Sequence, residues 1–169
     1  IPVSELEKRI LPARVANYQP RDLDLLTGTG EWIWVGHQSL RRKDGLVKLY
    51  RRDRIERLLE PPGAYVPPSE VHSDLLRFLS ERGASFLFNL RTASPKARIE
   101  DISEALWDLV WAGLVTNDTF SPLRALGMPV KRKSKRHVGK MVGGRWALVE
   151  TLFFEPTNVT ERRHHWVQL

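Results

Sequence analysis

The stretch Glu104–Asp118, EALWDLVWAGLVTND, constrains the fold of this chain more than any other segment. Apolar residues at and just before it recur at the spacing of one helix face: Ile102, Ala105, Leu106 and Leu109. The pattern predicts a helix over Ile99–Ala112 that ends at Gly113 and passes directly into a short strand, Leu114–Thr116. A helix that closes in this way, with a second strand later in the chain, is typical of the third helix of a winged helix-turn-helix.

The rest of that domain is predicted on both sides of this helix. Ser69 is a candidate N-cap for a helix over Glu70–Arg82, which Gly83 stops. A second short helix is expected over Ser85–Arg91, and the second strand over Arg145–Glu150. Three helices followed by two strands predict a winged helix over residues 69–155.

Residues 1–60 have a different pattern. A capping box formed by Ser4 and Glu7 predicts a helix to about Ile10, and Pro20 begins a second short helix. The aromatic and β-branched run Glu31–His37 predicts a strand. Lys43, Asp44 and Gly45 then provide a hairpin turn signal before a strand over Leu46–Tyr50. The segment Arg51–Leu59 fits a strand or a helix, and we favour a strand.

The fold class predicted from these elements is α+β, a small β-barrel-like module followed by a winged helix-turn-helix. Pro61, Pro62, Gly63, Pro67 and Pro68 interrupt regular structure, which places a linker at residues 61–68. Residues 156–169 are expected to begin a further helix.

Composition excludes several classes of protein. The chain has no cysteine, so disulfides and thiolate metal sites are excluded. No apolar run approaches the roughly 18–20 residues that span a bilayer, and no secretory leader pattern opens the sequence. We therefore expect a cytoplasmic location and no membrane partner. Because the sequence does not begin with Met, we also expect a fragment of a longer protein.

The positive charge is concentrated near the end of the chain. The chain carries a net charge of +7, and residues 120–169 hold ten Lys and Arg against three Asp and Glu. Residues 61–119 hold five against eight and are acidic. A basic chain of this kind favours a polyanion partner, most often a nucleic acid.

The predicted third helix of the winged helix is acidic on the side away from its core face. Its outward carboxylates are Glu100, Asp101, Glu104 and Asp108. Such a helix would meet DNA phosphates of the same sign, so we do not expect it to read the major groove. Trp107 and Trp111 also lie off the core face. They suit base stacking or packing against a neighbouring module, and we favour interdomain packing.

The segment between the two predicted strands is the main candidate for nucleic-acid contact. No Asp or Glu occurs from Thr119 to Val149. The basic residues proposed to bind are Lys131, Arg132, Lys133, Lys135, Arg136, Lys140 and Arg145, and Arg124 lies in the same segment. Lys and Arg on a wing bind the phosphate backbone without sequence specificity. We favour this interpretation over a solvated charge run.

A second basic group lies at and after the hairpin. Arg41, Arg42 and Lys43 occupy the predicted tip, and four arginines follow it: Arg51, Arg52, Arg54 and Arg57. A second binding surface and a solubilising strand face explain this group equally well.

No motif for catalysis or cofactor binding is recognisable. Gly28-Thr29-Gly30 lacks the Gly-Lys-Ser/Thr end of a phosphate-binding loop. The histidines lack metal-ligand spacing, and no Ser-His-Asp set stands out. We therefore assign no catalytic, metal or cofactor residue.

Six segments, in order and spacing, resemble one family over essentially the whole chain: LPARVANYQPRDLDLL, GEWIWVG, DGLVKLY, ALWDLVWAGLVTNDTFSPLRAL, GRWALVE and PTNVTER. The chain resembles the accessory region of the large helicase-related (Lhr-type) ATP-dependent DNA helicases of bacteria. In that family the motor domains precede this region, and small β-barrel and winged-helix modules follow them.

The resemblance implies a parent that is an ATP-driven 3′-to-5′ DNA helicase linked to DNA repair, using ATP and Mg²⁺ in motor domains that this chain lacks. Its partners would be single-stranded or duplex DNA and the remaining helicase domains. The chain itself would be a non-catalytic DNA-binding and scaffold segment. Two alternatives stay open: an interdomain or oligomerisation module, and part of a DNA-glycosylase-like accessory region.

Overall fold

A hairpin, a set of helices and a second small sheet make up the computed structural model, which describes residues 1–41, 44–60, 63–126 and 143–152. The helices are α1, Val3–Glu5, continued as a π-helical segment Leu6–Ile10; α2, Pro20–Gly28; α3, Ile55–Leu58; α4, Glu70–Arg82; α5, Leu87–Leu90; α6, Ile99–Trp111; and α7, Ser121–Leu126. The strands are β1, Trp32–Arg41; β2, Asp44–Arg51; β3, Val115–Asn117; and β4, Trp146–Leu148, which a 3₁₀ turn, Glu150–Leu152, follows.

The topology from α4 to β4 is that of a winged helix. Helix α4 ends at Gly83, whose φ of +71° suits a residue without a side chain. Ser85 then pairs with Trp146 through two backbone hydrogen bonds of 2.8 Å, α5 and α6 follow, and β3 pairs antiparallel with β4. The predicted helix over Ser85–Arg91 is therefore shorter, because Ser85 joins the sheet.

The sheets do not close into a barrel. In the described residues β1 pairs with β2 and β3 pairs with β4, each as a two-stranded antiparallel sheet. A closed barrel needs every strand to have two neighbours. The chain is thus a mixed α and β structure with a winged-helix domain, and the barrel-like part of the predicted fold class is wrong.

The predicted hairpin forms, but three local details in residues 1–60 differ from the prediction. The hairpin register pairs Arg41 with Asp44, so Asp44 and Gly45 belong to β2 and the connection lies between them and Arg41. Ser4 is not an N-cap, since its backbone N and its hydroxyl donate to the Asp44 carboxylate at 3.1 and 2.7 Å. The segment after Arg51 turns into α3 and not into a strand.

The position of Gly45 has a packing cause. A Cβ at Gly45 would lie 2.4 Å from the ring of Trp111, at the C-terminal end of α6. Such a contact is far below van der Waals distance, so only glycine lets the indole pack this close to the strand. The Asp-Gly pair that resembles a turn signal is thus explained by a contact distant in sequence.

The hydrophobic core contains residues from both sides of the predicted linker. Its largest cluster joins Leu6, Leu23, Trp34 and Val47 to buried residues of α4, α5, α6, β3 and β4. A second cluster packs Val149 against residues of the hairpin and α3. The division of the chain at residues 61–68 stays a prediction, because shared packing does not decide whether either segment folds alone.

Candidate nucleic-acid interface

The exposed face of α6 is acidic. Glu100, Glu104 and Asp108 are exposed, whereas the buried face is formed by Ile102, Ala105, Leu106, Trp107, Leu109 and Val110. Asp101 forms an ion pair with Arg98 at 2.8 Å. The geometry gives α6 no positive side chain at its centre with which to approach a phosphate, so α6 is not a candidate for nucleic-acid contact.

The wing root, defined here as residues Asn117–Thr119 and Gly143–Arg145, is held by side chains. The Asp118 carboxylate accepts the backbone N–H of Arg145 at 2.6 Å and its Nε at 2.8 Å. Gly144 has a φ of +72°, and a Cβ there would lie 2.1 Å from the Asn117 Oδ1. These contacts therefore fix the position of the Arg145 side chain, which is 55% exposed.

A cleft beside the wing root brings together arginines from opposite halves of the chain. Its walls are the C-terminal end of α2, the open end of the hairpin and the wing root, and it includes Trp32, Arg52 and Arg145. Arg52 lies over Gly30, where a Cβ would be 3.1 Å from its Nη1. We call this feature the Trp32 cleft.

Both arginines have donors left for a ligand. Within the described residues Arg52 forms no ion pair, and Arg145 uses only its Nε and backbone N on Asp118. The cleft thus holds two guanidinium groups against one carboxylate. Planar guanidinium groups match phosphate oxygens in pairs, which makes them suited to a sugar–phosphate backbone.

The hairpin tip is far from this cleft. Arg41 lies nine residues beyond Trp32 along β1, which at about 3.3 Å per residue separates the two by roughly 30 Å. Most of the predicted basic residues lie outside the described part of the chain: Arg42, Lys43, Lys131, Arg132, Lys133, Lys135, Arg136 and Lys140.

Arg124 lies in the basic segment, but its guanidinium group already forms hydrogen bonds within the chain. It donates to Glu7 at 2.6 and 2.8 Å, to Asp24 at 2.6 Å and to the Pro20 carbonyl at 2.9 Å. Burial disfavours its charge, but the hydrogen bonds to Glu7 and Asp24 outweigh this, so the pKa of Arg124 is raised. We call this group the Arg124 clamp. The basic segment thus contains a helix, α7, near its start.

Trp107 and Trp111 stack on each other. Their ring centroids are 5.6 Å apart at an interplanar angle of 19°, and Trp107 meets Trp146 edge to face at 5.8 Å. Trp107 is 9% exposed, and Trp111 rests on Gly45 of the hairpin. Both indoles therefore contact other parts of this chain.

The structure also aligns a Ser-His-Asp set that the spacing does not indicate. The Ser69 hydroxyl is 2.8 Å from His72 Nδ1, and His72 Nε2 is 3.3 Å from Asp108 Oδ2. His72 is buried between α4 and α6, so we interpret the set as a link that fixes the first turn of α4. Because Asp108 is distant in sequence from the other two, no local motif indicates it.

A family model and two related proteins match this chain, and all three carry the name of the same family. Residues 1–52 match a family model described as the winged-helix domain of large helicase-related protein. A protein of Mycolicibacterium smegmatis, "Lhr helicase/ probable uracil glycosylase", is 35% identical over 144 residues, covering 80% of this chain and 10% of the relative. The Escherichia coli K12 protein "Lhr helicase/uracil glycosylase" is 32% identical over 191 residues, covering 96% of this chain and 12% of the relative.

This chain belongs to the Lhr family.

The match places Lhr-family sequence on both sides of the predicted linker. The winged-helix model covers α1 to β2, the segment predicted as barrel-like, whereas the alignment with the E. coli relative extends over nearly the whole chain. This Lhr-family chain spans about a tenth of the length of these curated relatives.

The described part of this Lhr-family chain holds no cluster of three or more His, Asp or Glu side chains arranged for a metal ion. None of the helices described is both long and apolar enough to cross a bilayer.

Proposed function

We propose that this chain is a DNA-binding accessory module of an ATP-dependent DNA helicase, and that it contacts the DNA backbone through the Trp32 cleft. One observation carries the proposal: Arg52 and Arg145, which belong to two separate basic groups of the sequence, line the same cleft. The membership of the chain in the Lhr family and the helicase names of its relatives support the same interpretation.

The charge distribution supports backbone contact without sequence specificity. The Asp118 carboxylate offsets part of the positive charge of Arg145. The terminal nitrogens of both cleft arginines remain as donors, and they favour a ligand with several anionic oxygens. Phosphates carry no base information, so such contacts position DNA and do not select sequence. The Lys131–Lys140 segment, which stays a sequence-based prediction, would extend this contact.

The wider roles belong to the same proposal. We infer a parent with motor domains that bind ATP and Mg²⁺, move 3′ to 5′ on DNA and act in DNA repair in the cytoplasm. The partners would be single-stranded or duplex DNA and the other helicase domains. The support is the Lhr family membership, because this chain contains no motor motif.

The test compares charge-neutral variants of the chain by fluorescence anisotropy with labelled duplex DNA at several salt concentrations. We expect Arg52→Gln and Arg145→Gln each to weaken binding about tenfold, since a hydrogen bond to a charged group contributes about 1.5 kcal/mol or more. The slope of log K against log salt should fall by about 0.9 for each phosphate that the variant no longer neutralises.

The matched control is Arg9→Gln, which removes one charge from an exposed pair with Glu5. It should bind nearly as the parent chain does. Equal affinities for Arg52→Gln, Arg145→Gln and Arg9→Gln would refute DNA contact at the cleft. Neutralising Lys131, Arg132, Lys133, Lys135 and Arg136 together in the same assay tests the wing separately.

A second candidate function is part of a DNA-glycosylase region, which the names of both relatives favour. Incubation of the chain with uracil-containing DNA, followed by a base-release measurement, tests it. No product from either single-stranded or duplex substrate would count against glycosylase activity in this segment.

A scaffold role through the tryptophans is the third candidate. Trp107 and Trp111 contact the hairpin and β4 of the same chain, which favours internal packing over a surface for a second copy. Light scattering of Trp111→Ala against the parent chain tests this. A lower mass for the variant would indicate an oligomer interface.

A further inference from the structure

Trp32 is placed differently from the other tryptophans near it. Trp34, two residues along β1, is fully buried, and so is Trp146. Trp32 is only partly buried, and it belongs to neither of the two hydrophobic clusters. A partly exposed indole that lies outside both clusters and lines a cleft can be reached by a ligand.

The surroundings of Trp32 define what such a ligand carries. Arg52 follows the end of β2 next to it, and Arg145 faces the same cleft from the wing root. An indole and two guanidinium groups that line one cleft match a flat ring joined to phosphates. The cleft volume of about 180 Å³ is below the roughly 300–1,000 Å³ of sites that enclose a small molecule, so it suits one unit of a longer chain.

The threonine hydroxyls and the asparagine amide of the cleft already form hydrogen bonds within the protein. The Thr27, Thr29 and Thr116 hydroxyls each donate to a backbone carbonyl. Asn117 accepts from Thr119 and donates to the Gly143 carbonyl. Few groups remain to read a base edge, so recognition there depends on stacking and phosphate contact.

We propose that the Trp32 cleft binds single-stranded DNA by stacking one unpaired base on the indole of Trp32, while Arg52 and Arg145 hold the neighbouring phosphates. The proposal rests on the proposed function, since it specifies the form of DNA that the same cleft receives. A paired base has both faces covered by its neighbours, so duplex DNA contacts only the arginines. Base stacking on aromatic side chains is tolerant of sequence, so the cleft does not distinguish the four bases.

The experiment measures the affinity of the whole chain for three labelled probes of equal length: oligothymidylate, a duplex, and an oligonucleotide in which the bases are replaced by abasic sites. We expect Trp32→Leu to weaken oligothymidylate binding about 5- to 150-fold, the range for one stacked base, and to change duplex binding less than twofold. Trp32→Phe keeps an aromatic face and should lose much less.

The control variant is Phe88→Leu, which alters an aromatic side chain that is 73% exposed on α5, outside the cleft. Its affinities for all three probes should equal those of the parent chain. The parent chain should also bind the abasic probe about as weakly as Trp32→Leu binds oligothymidylate.

The outcomes separate this proposal from the one on which it rests. If Arg52→Gln and Arg145→Gln leave every probe bound as before, DNA contact at the cleft is refuted. If those variants weaken binding but Trp32→Leu binds oligothymidylate as the parent does, or loses duplex affinity equally, only base stacking is refuted. Thermal melting checks that each variant is folded. Should Trp32→Leu fail to fold, equal binding of the abasic and thymidylate probes by the parent chain overturns stacking.

Discussion

The Arg124 clamp gives a quantitative prediction for stability. Arg124 joins three segments, because it donates to Glu7 near the start of the chain, to Asp24 and Pro20 of α2, and lies in α7 itself. Its side chain is 21% exposed and that of Glu7 15% exposed. Replacement by Met keeps much of the apolar stem but leaves two partly buried carboxylates without their counterion.

The magnitude follows from this partial burial. Breaking a buried ion pair costs about 3–5 kcal/mol, whereas an exposed pair contributes about 0–1 kcal/mol. Since Asp24 is 39% exposed, we expect Arg124→Met to lower the free energy of unfolding by about 2–3 kcal/mol. With a slope of about 2 kcal/mol per molar urea, the unfolding midpoint should fall by about 1–1.5 M.

Urea unfolding followed by circular dichroism measures this shift, with Arg9→Met as the matched control. Arg9 is 80% exposed in its pair with Glu5, so its replacement should change stability by about 0.5 kcal/mol or less. The double variant Arg124→Met with Glu7→Gln should lose less than the sum of the single losses, because one unpaired charge is removed. Equal midpoints for Arg124→Met and Arg9→Met would show that the clamp does not stabilise the fold.

Two further results are expected. Gly45→Ala should cost about 1–3 kcal/mol by forcing a methyl group against Trp111, while Gly28→Ala, where a Cβ meets nothing within 4 Å, should be nearly neutral in the same melts. The side-chain hydrogen bond from Arg98 lowers the pKa of Asp101 below its usual 3.8, so this pair stabilises the fold above about pH 4 and the effect is lost as the pH falls through the folded pKa. The difference in melting temperature between the parent chain and Asp101→Asn should therefore close in acid, and a difference independent of pH would contradict the assignment.

Helices α4 and α6 could be predicted from the sequence because their determinants are local. Apolar residues at helical spacing define the buried faces, and Gly83 and Gly113, both with positive φ, end the regular segments. The structure places α4 at Glu70–Arg82, as expected, and α6 at Ile99–Trp111, one residue shorter than the prediction. The winged-helix prediction followed from these elements.

The packing of the hairpin and the candidate site could not be predicted, because they depend on contacts between residues far apart in the sequence. Gly45 looks like a turn residue until Trp111 is placed on it, and Ser4 looks like an N-cap until Asp44 accepts its hydroxyl hydrogen bond. The Trp32 cleft exists only because the hairpin and the wing root meet. Neither periodicity nor charge counting carries that information, so the sequence ranked the basic groups without showing which share a surface.

The core that crosses residues 61–68 has a consequence for dissecting the chain. Trp34 of the hairpin donates its indole N–H to the Thr119 carbonyl, and Val149 packs with hairpin residues. A protease that cut the proline-rich segment would leave two pieces, each exposing a face that fits the other. Such a nicked chain should remain one noncovalent complex, and separately expressed halves should reconstitute it when mixed.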